Sequence, residues 1–189
     1  MYFTIGIEPD IKLAERLTFI QEDLGKIIES RQARVRWTSP EWLYFPIRFL
    51  GQMEDTEIPE ICRHIEAAVH AIKPFTISTA GIEAYPNPAC PRIISVLLQQ
   101  GEEQLTALRA ALDASFSMSH LRGDSRAFKP SITLGRVSTP NGKIDLTDCI
   151  DAIGDLNFGL TDINEVVLYS ADLLYSGPEY NVISRHQLG

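Results

Sequence analysis

Cysteine and histidine are both scarce, with three and four copies in 189 residues. Cys62, Cys90 and Cys149 are odd in number and show no paired spacing, which excludes a disulfide framework and a cysteine-ligated zinc module. Buried free thiols in a reducing compartment are expected instead. Nothing approaches the roughly eighteen consecutive apolar residues of a membrane helix. The opening Met-Tyr-Phe-Thr-Ile-Gly-Ile-Glu has no basic segment ahead of an apolar stretch, so a cytoplasmic protein is expected. Positive charge is short as well. With 17 Lys and Arg against 25 Asp and Glu, the net charge of −8 argues against a broad phosphate-coating surface and leaves room only for a local basic cleft. No Gly-x-Gly-x-x-Gly or Gly-x-x-x-x-Gly-Lys-Ser/Thr follows an expected strand, so a parallel nucleotide-binding sheet is not indicated. No His, Cys or Asp cluster stands at ligand spacing, and no cofactor motif occurs, so neither a metal nor a cofactor is expected.

What is present is a soluble globular composition, 44% hydrophobic, in a chain long enough for one substantial domain. Residues 2–8 alternate as a strand that ends at Pro9, and Asp10 can cap a helix carrying Leu13, Leu17, Ile20, Leu24 and Ile27 or Ile28 to about Ser30. A short strand, Arg34 to Trp37, is followed by turn residues Thr38, Ser39 and Pro40 and a strand closing at Gly51. Helix spacing returns from Thr56 to Ile72, strand alternation from Phe75 to Ile82. Prolines 86, 88 and 91 break regular structure and suggest a hinge between two lobes, roughly 1–85 and 91–189, with strand exchange between them. The second half repeats the order: a strand at Arg92 to Gln99, a helix at Glu102 to Phe116, a loop from Ser117 to Arg126, and the strand after Pro130. Asn141-Gly142 marks a turn, Leu146 to Ile153 a short helix, and 156–160, 164–173 and 180–186 closing strands. The fold class expected is α+β, one bilobal domain with two antiparallel-rich sheets facing across a central cleft and helices outside.

Two strands carry the candidate chemistry. After Pro130, strict alternation places Ser131, Thr133 and Gly135 on one face and Ile132, Leu134 and Arg136 on the other. In Glu41-Trp-Leu-Tyr-Phe-Pro-Ile-Arg-Phe-Leu-Gly51 it places Tyr44, Pro46 and Arg48 together, opposite Phe45, Ile47 and Phe49.

These two segments resemble the signature strands of the two-histidine phosphoesterases, in the branch of the bacterial RNA 2′,5′-ligases and RNA 2′,3′-cyclic phosphodiesterases. Members carry His-x-Thr in Asn-Leu-His-Leu-Thr-Leu-Lys/Arg-Phe-Leu-Gly and again in Phe-Arg/Lys-Pro-His-Ile-Thr-Leu-Ala/Gly-Arg. Here they read Trp42-Leu-Tyr-Phe-Pro-Ile-Arg-Phe-Leu-Gly51 and Phe128-Lys-Pro-Ser-Ile-Thr-Leu-Gly-Arg136. Val35-Arg36-Trp37, Pro91-Arg92-Ile93, Glu165-Val-Val-Leu-Tyr169 and Gly177-Pro-Glu-Tyr180 extend the resemblance along the chain. It implies that Tyr44, Ser131 and Thr133 occupy catalytic positions. Both family histidines are replaced, by Tyr44 and Ser131, and the first threonine by Pro46. In the family one histidine takes a proton from the nucleophile and the other protonates the leaving ribose oxygen, a task for groups titrating near neutrality. Tyrosine ordinarily titrates at about 10 and serine not at all in this range.

Arg48, Arg92, Arg126, Lys129 and Arg136 concentrate in or beside the matched segments, and guanidinium forks suit phosphate oxygens, so an anion-binding cleft is expected. Tyr44 can stack on a base or fill a disused pocket, and Trp37 and Trp42 suit packing or a ligand platform. Among the histidines, His64, His70 and His186 suit structural places, while His120 precedes the Ser131 strand and is a candidate for the cleft. Three readings stay open: a monomeric relative that has lost the family chemistry and binds a nucleotide or RNA terminus, an active phosphoesterase using Tyr44, Thr133 and His120, and a protein-interaction module on the same scaffold.

Overall fold

The chain leaves its first strand, β1 (Tyr2–Ile7), through Glu8 and Pro9, and the Asp10 carboxylate then accepts from the Leu13 amide at 2.7 Å to start α1 (Ile11–Ser30). There follow β2 (Arg34–Trp37), a 3-10 turn at Pro40–Trp42, β3 (Phe45–Gln52), a second 3-10 turn at Asp55–Glu57, α2 (Ile58–Val69), β4 (Phe75–Tyr85) and β5 (Ile93–Gln100). The remainder is α3 (Glu102–Phe116), β6 (Ser131–Ser138), α4 (Thr147–Ile153), β7 (Asn157–Ile163), β8 (Glu165–Leu174) and β9 (Gly177–Gln187). The computed structural model describes residues 1–31, 33–117, 119, 127–138, 144–153, 156–174 and 177–189. His120, Arg126 and the expected Asn141-Gly142 turn lie outside the described residues.

The strands form a four-stranded sheet in the order β3-β1-β8-β9 and a five-stranded sheet in the order β2-β6-β5-β4-β7, every pairing antiparallel. Helices α2 and α3 pack against each other and the four-stranded sheet, while α1 and α4 lie on the five-stranded one. The expected α+β class with two antiparallel sheets is the class observed. The helices bury the stripes their spacing dictates, among them Leu13, Leu17, Leu24 and Ile28 on α1 and Leu105, Leu108, Leu112 and Phe116 on α3. Each such side chain contributes about 1.5–3 kcal/mol by leaving water. No described helix is long and apolar enough to cross a membrane.

The proline-rich segment is a hairpin loop and not the expected hinge. Tyr85 stands opposite Ile93, the Arg92 amide donates to the Tyr85 carbonyl at 2.7 Å, and β4 and β5 are neighbours in one sheet. The prolines stop the ladder, but the apolar faces on either side still pair, and both sheets draw strands from before and after the loop. Cys90 sits in this loop and is exposed, whereas Cys62 is half-buried and Cys149 buried; all three are free. The expectation of three buried thiols therefore fails at Cys90.

Both motif strands break the pleat at a β-bulge. On β3, Ile5 pairs with Arg48 and Gly6 with Pro46, so Ile47 is an extra residue. On β6, Ile94 pairs with Gly135 and Ser95 with Thr133, so Leu134 is extra. In each case a buried side chain from the covering helix takes the carbonyl of the extra residue. Arg109 Nη1 of α3 donates to the Ile47 carbonyl at 2.8 Å, and Gln21 Nε2 of α1 donates to the Leu134 carbonyl at 2.9 Å and the Thr38 carbonyl at 2.8 Å. A bulge re-aims every residue beyond it. Arg48, expected beside Tyr44 and Pro46, turns inward: its side chain is 2% exposed, and its Nε donates to Asp113 Oδ1 at 2.8 Å. Its guanidinium lies 4.4 Å from the centre of the Phe116 ring, and Arg109 shares the Asp113 carboxylate through Oδ2 at 2.7 Å. Phe49 takes the outward place. On β6 the same device brings Arg136, expected with Ile132 and Leu134, round to the face of Thr133.

Replacing Gln21 by Leu leaves the Thr38 carbonyl short of its partner, and we expect a loss of about 1–2 kcal/mol in urea unfolding. A second prediction concerns His186, 6% exposed, with Nε2 at 2.8 Å from Ser184 Oγ and Nδ1 at 3.7 Å from Glu66 Oε1. Burial pushes its pKa below the ordinary value against the opposing pull of Glu66. The unfolded chain therefore takes up this proton first. Stability is complete above about pH 6.5 and falls as the pH drops from there toward the depressed value. Urea unfolding at about pH 7.5 and pH 5.5 should show a larger acid loss for the wild type than for His186→Gln.

Candidate functional site

Between the two motif strands lies a cavity of about 520 Å³. Its two walls differ in chemistry. The four-stranded sheet supplies rings because the outward positions of β1, β3 and β8 are aromatic: Tyr2 stacks on Phe49 with centroids 6.2 Å apart, and Tyr44 meets Tyr169 at 4.7 Å. Trp42, on the turn that carries the chain from one sheet to the other, lies 5.4 Å from Tyr180 and edge-on to Tyr169 at 6.4 Å. The five-stranded sheet and the turn after β2 supply both guanidiniums, Arg36 and Arg136, with the Thr38 and Thr133 hydroxyls, while Thr4 adds one hydroxyl on the aromatic side.

Tyr44 belongs to the floor of the cavity. A Cβ on Gly6 would come 2.5 Å from Tyr44 Cδ2 and 2.9 Å from the Phe45 carbonyl oxygen, so glycine at this position makes room for the ring to lie down on β1. Tyr169 beneath it is 1% exposed and donates to Glu8 Oε1 at 3.0 Å. Burial, reinforced by the Glu8 charge, pushes the Tyr169 phenol far above its ordinary range, so it stays a proton-bearing donor. Arg185 holds that carboxylate by two contacts, at 2.7 and 3.0 Å.

The sequence candidates are only partly brought together. Tyr44, Thr133 and Arg136 line the cavity. Ser131 precedes Thr133 by two positions on the same unbulged stretch of β6 and shares its face, but is not part of the lining. Arg48 is buried against α3. Lys129 is ion-paired to Glu83, and Arg92 is exposed just before β5 and is not part of the lining. Arg126 and His120 fall outside the described residues. Among the other histidines, His64 contacts Ser115 and Glu60, and His186 lies under α2, so neither reaches the cleft. Among the described lining residues there is no imidazole, carboxylate, thiol or amine. No group of three or more His, Cys, Asp or Glu stands ready for a metal among the described residues.

Sequence reasoning missed Arg36, Tyr2, Thr4 and Phe49 as cavity residues. A signal existed for three of them: Tyr2 and Thr4 are the off-core phase of β1, and Arg36 alternates with Val35 and Trp37. Nothing marked Phe49, because the bulge that turns it outward has no local signature.

The profile of the 2′-5′ RNA ligase superfamily matches residues 43–172. The chain is 27% identical over 176 residues to the RNA 2′,3′-cyclic phosphodiesterase of Methanothermobacter thermautotrophicus, covering 93% of this chain and 92% of that protein. It is 25% identical over 180 residues to the protein of the same description from Archaeoglobus fulgidus, covering 95% and 96%. Among solved structures, TT0787 of Thermus thermophilus superposes with a TM-score of 0.76 at 21% identity, over 100% of this chain and 98% of that one. Escherichia coli LigT in complex with 3′-AMP superposes at 0.74 and 16% identity, over 99% and 97%.

A methyl group at Gly6 would collide with both the Tyr44 ring and the Phe45 carbonyl oxygen. Gly6→Ala should cost about 1–3 kcal/mol in chemical denaturation, and its near-ultraviolet circular dichroism should report the displaced tyrosine.

Proposed function

The chain belongs to the 2′-5′ RNA ligase superfamily, and from that membership and the chemistry of the cavity walls we propose that it binds a phosphorylated nucleotide end without turning it over. The observation that carries this reading is the lining: rings on one side, both guanidiniums on the other, and between them no described side chain that ordinarily titrates near neutrality. A base suits the aromatic wall, where stacking tolerates any π-face. A phosphate suits the opposite wall, where Arg136 and Thr133 present charged and neutral donors. Escherichia coli LigT has been crystallised with 3′-AMP, ATP and NADP+, which supports a nucleotide as the ligand of this shared fold.

Opening a cyclic phosphodiester requires one group to take a proton from water and another to return one to the leaving ribose oxygen. Tyr44 and Ser131 stand at those two positions by resemblance. Tyr44 is packed on Gly6 and Tyr169, and Ser131 has no described imidazole beside it. Each lost proton partner costs about 10² to 10⁴ in rate, so the pair removes about 10⁴ to 10⁸. Pro46, at the first threonine position, has no side-chain donor for the phosphate.

The purified protein, incubated with 2′,3′-cyclic nucleotides and with RNA bearing a cyclic end, should give no product above background while showing a thermal shift with nucleotides. The triple variant Tyr44→His, Pro46→Thr, Ser131→His should gain measurable hydrolysis. Wild-type turnover that disappears in His120→Ala would establish the active enzyme with altered groups. A protein that no nucleotide shifts would leave the scaffold as an interaction module.

A further inference from the structure

Arg36 and Arg136 are direct cross-strand partners on β2 and β6. Residues so paired share a face with Cβ atoms about 4.5–5.5 Å apart, and like charges in that relation repel. Both line the cavity, and neither makes an ion pair among the described residues. This sets them apart from Arg48, Lys129, Arg31 and Arg185, each of which holds a carboxylate. In a chain with net charge −8, two guanidiniums side by side on one wall of a cleft without a described lining carboxylate describe a place for an anion carrying two charges.

Resting on the nucleotide reading above, we infer that Arg36 and Arg136 form a clasp for a phosphomonoester dianion, so the protein prefers an opened 2′- or 3′-phosphate end to the 2′,3′-cyclic phosphate. The two forms differ in charge and in free oxygens. A cyclic phosphodiester is a monoanion with two unbridged oxygens. A phosphomonoester carries about −1.5 to −2 at pH 7, because its second pKa is about 6, and has three. Two forked guanidiniums approaching from adjacent strands can each take a pair of hydrogen bonds, and only the monoester has charge and oxygens enough for both. The Thr38 and Thr133 hydroxyls stand on the same wall for what remains. The site then reads the product side of cyclic phosphate opening, and the reaction that supplies its ligand is the opening of a nucleotide-terminal cyclic phosphodiester.

The pH dependence belongs to the ligand. The ionisable groups lining the cavity from the described elements are the phenols Tyr2 on β1, Tyr44 before β3, Tyr169 on β8 and Tyr180 on β9 and the guanidiniums of Arg36 and Arg136, two classes that ordinarily keep their charge state between about pH 5 and pH 8. Affinity for a monoester should therefore fall as the pH drops through about 6, and affinity for the cyclic form should stay level.

Isothermal titration calorimetry with 3′-AMP and with 2′,3′-cyclic AMP, from about pH 5 to about pH 8, tests this. At the upper end 3′-AMP should bind at least about tenfold more tightly, and the ratio should approach one at the lower end. Arg36→Gln should bring the ratio toward one at every pH, and its unliganded melting temperature should equal or exceed the wild-type value, because a repulsion has been removed. Equal affinities in the wild type, a preference indifferent to pH, or an Arg36→Gln protein that melts lower with the preference intact would overturn the clasp and leave nucleotide binding standing. Failure of both nucleotides to bind would overturn the two proposals together.

Discussion

The structure depends on two β-bulges and on the helix side chains that bond the carbonyls of their extra residues. Ile47 and Leu134 are extra residues in the motif strands, and a bulged strand is tolerable in the interior only if its displaced polar groups find partners. Arg109 from α3 takes one carbonyl and Gln21 from α1 takes the other. Each helix therefore does more than cover a sheet with an apolar stripe, since one buried polar side chain fixes the phase of the strand beneath it. That phase decides which residues meet in the cleft: Phe49 and not Arg48 on one wall, Arg136 beside Thr133 on the other.

The helices and the succession of strands were legible in the sequence because their periodicities are long and mutually consistent. Asp10 announces α1, and the leucine spacing from Leu105 to Phe116 marks α3 to its observed ends. The side on which Arg48 and Arg136 lie was not legible, because alternation assumes an uninterrupted pleat and a one-residue bulge reverses it. The partners that hold the bulges stand 62 and 113 residues away in the chain, beyond the reach of any local pattern. The proline-rich stretch from Tyr85 to Pro91 misled for a different reason: breakers say that a ladder stops and do not say whether a hairpin or a hinge follows. Arg36 was visible only as part of a short strand, since its significance comes from the residue opposite it.

The same separation of walls shows what the fold itself does not require. Packing of the aromatic side, with Tyr44 on Gly6 and Tyr169, needs no imidazole, and the cationic side needs none to attract an anion. Function here follows the site and not the architecture.

A crystal of the protein soaked at length with 2′,3′-cyclic AMP tests the central claim most directly. The account predicts an intact cyclic phosphate in the cleft, its base against the aromatic wall and its phosphate toward Arg36 and Arg136. An opened phosphate, or a nucleotide bound elsewhere with the cleft empty, would contradict it.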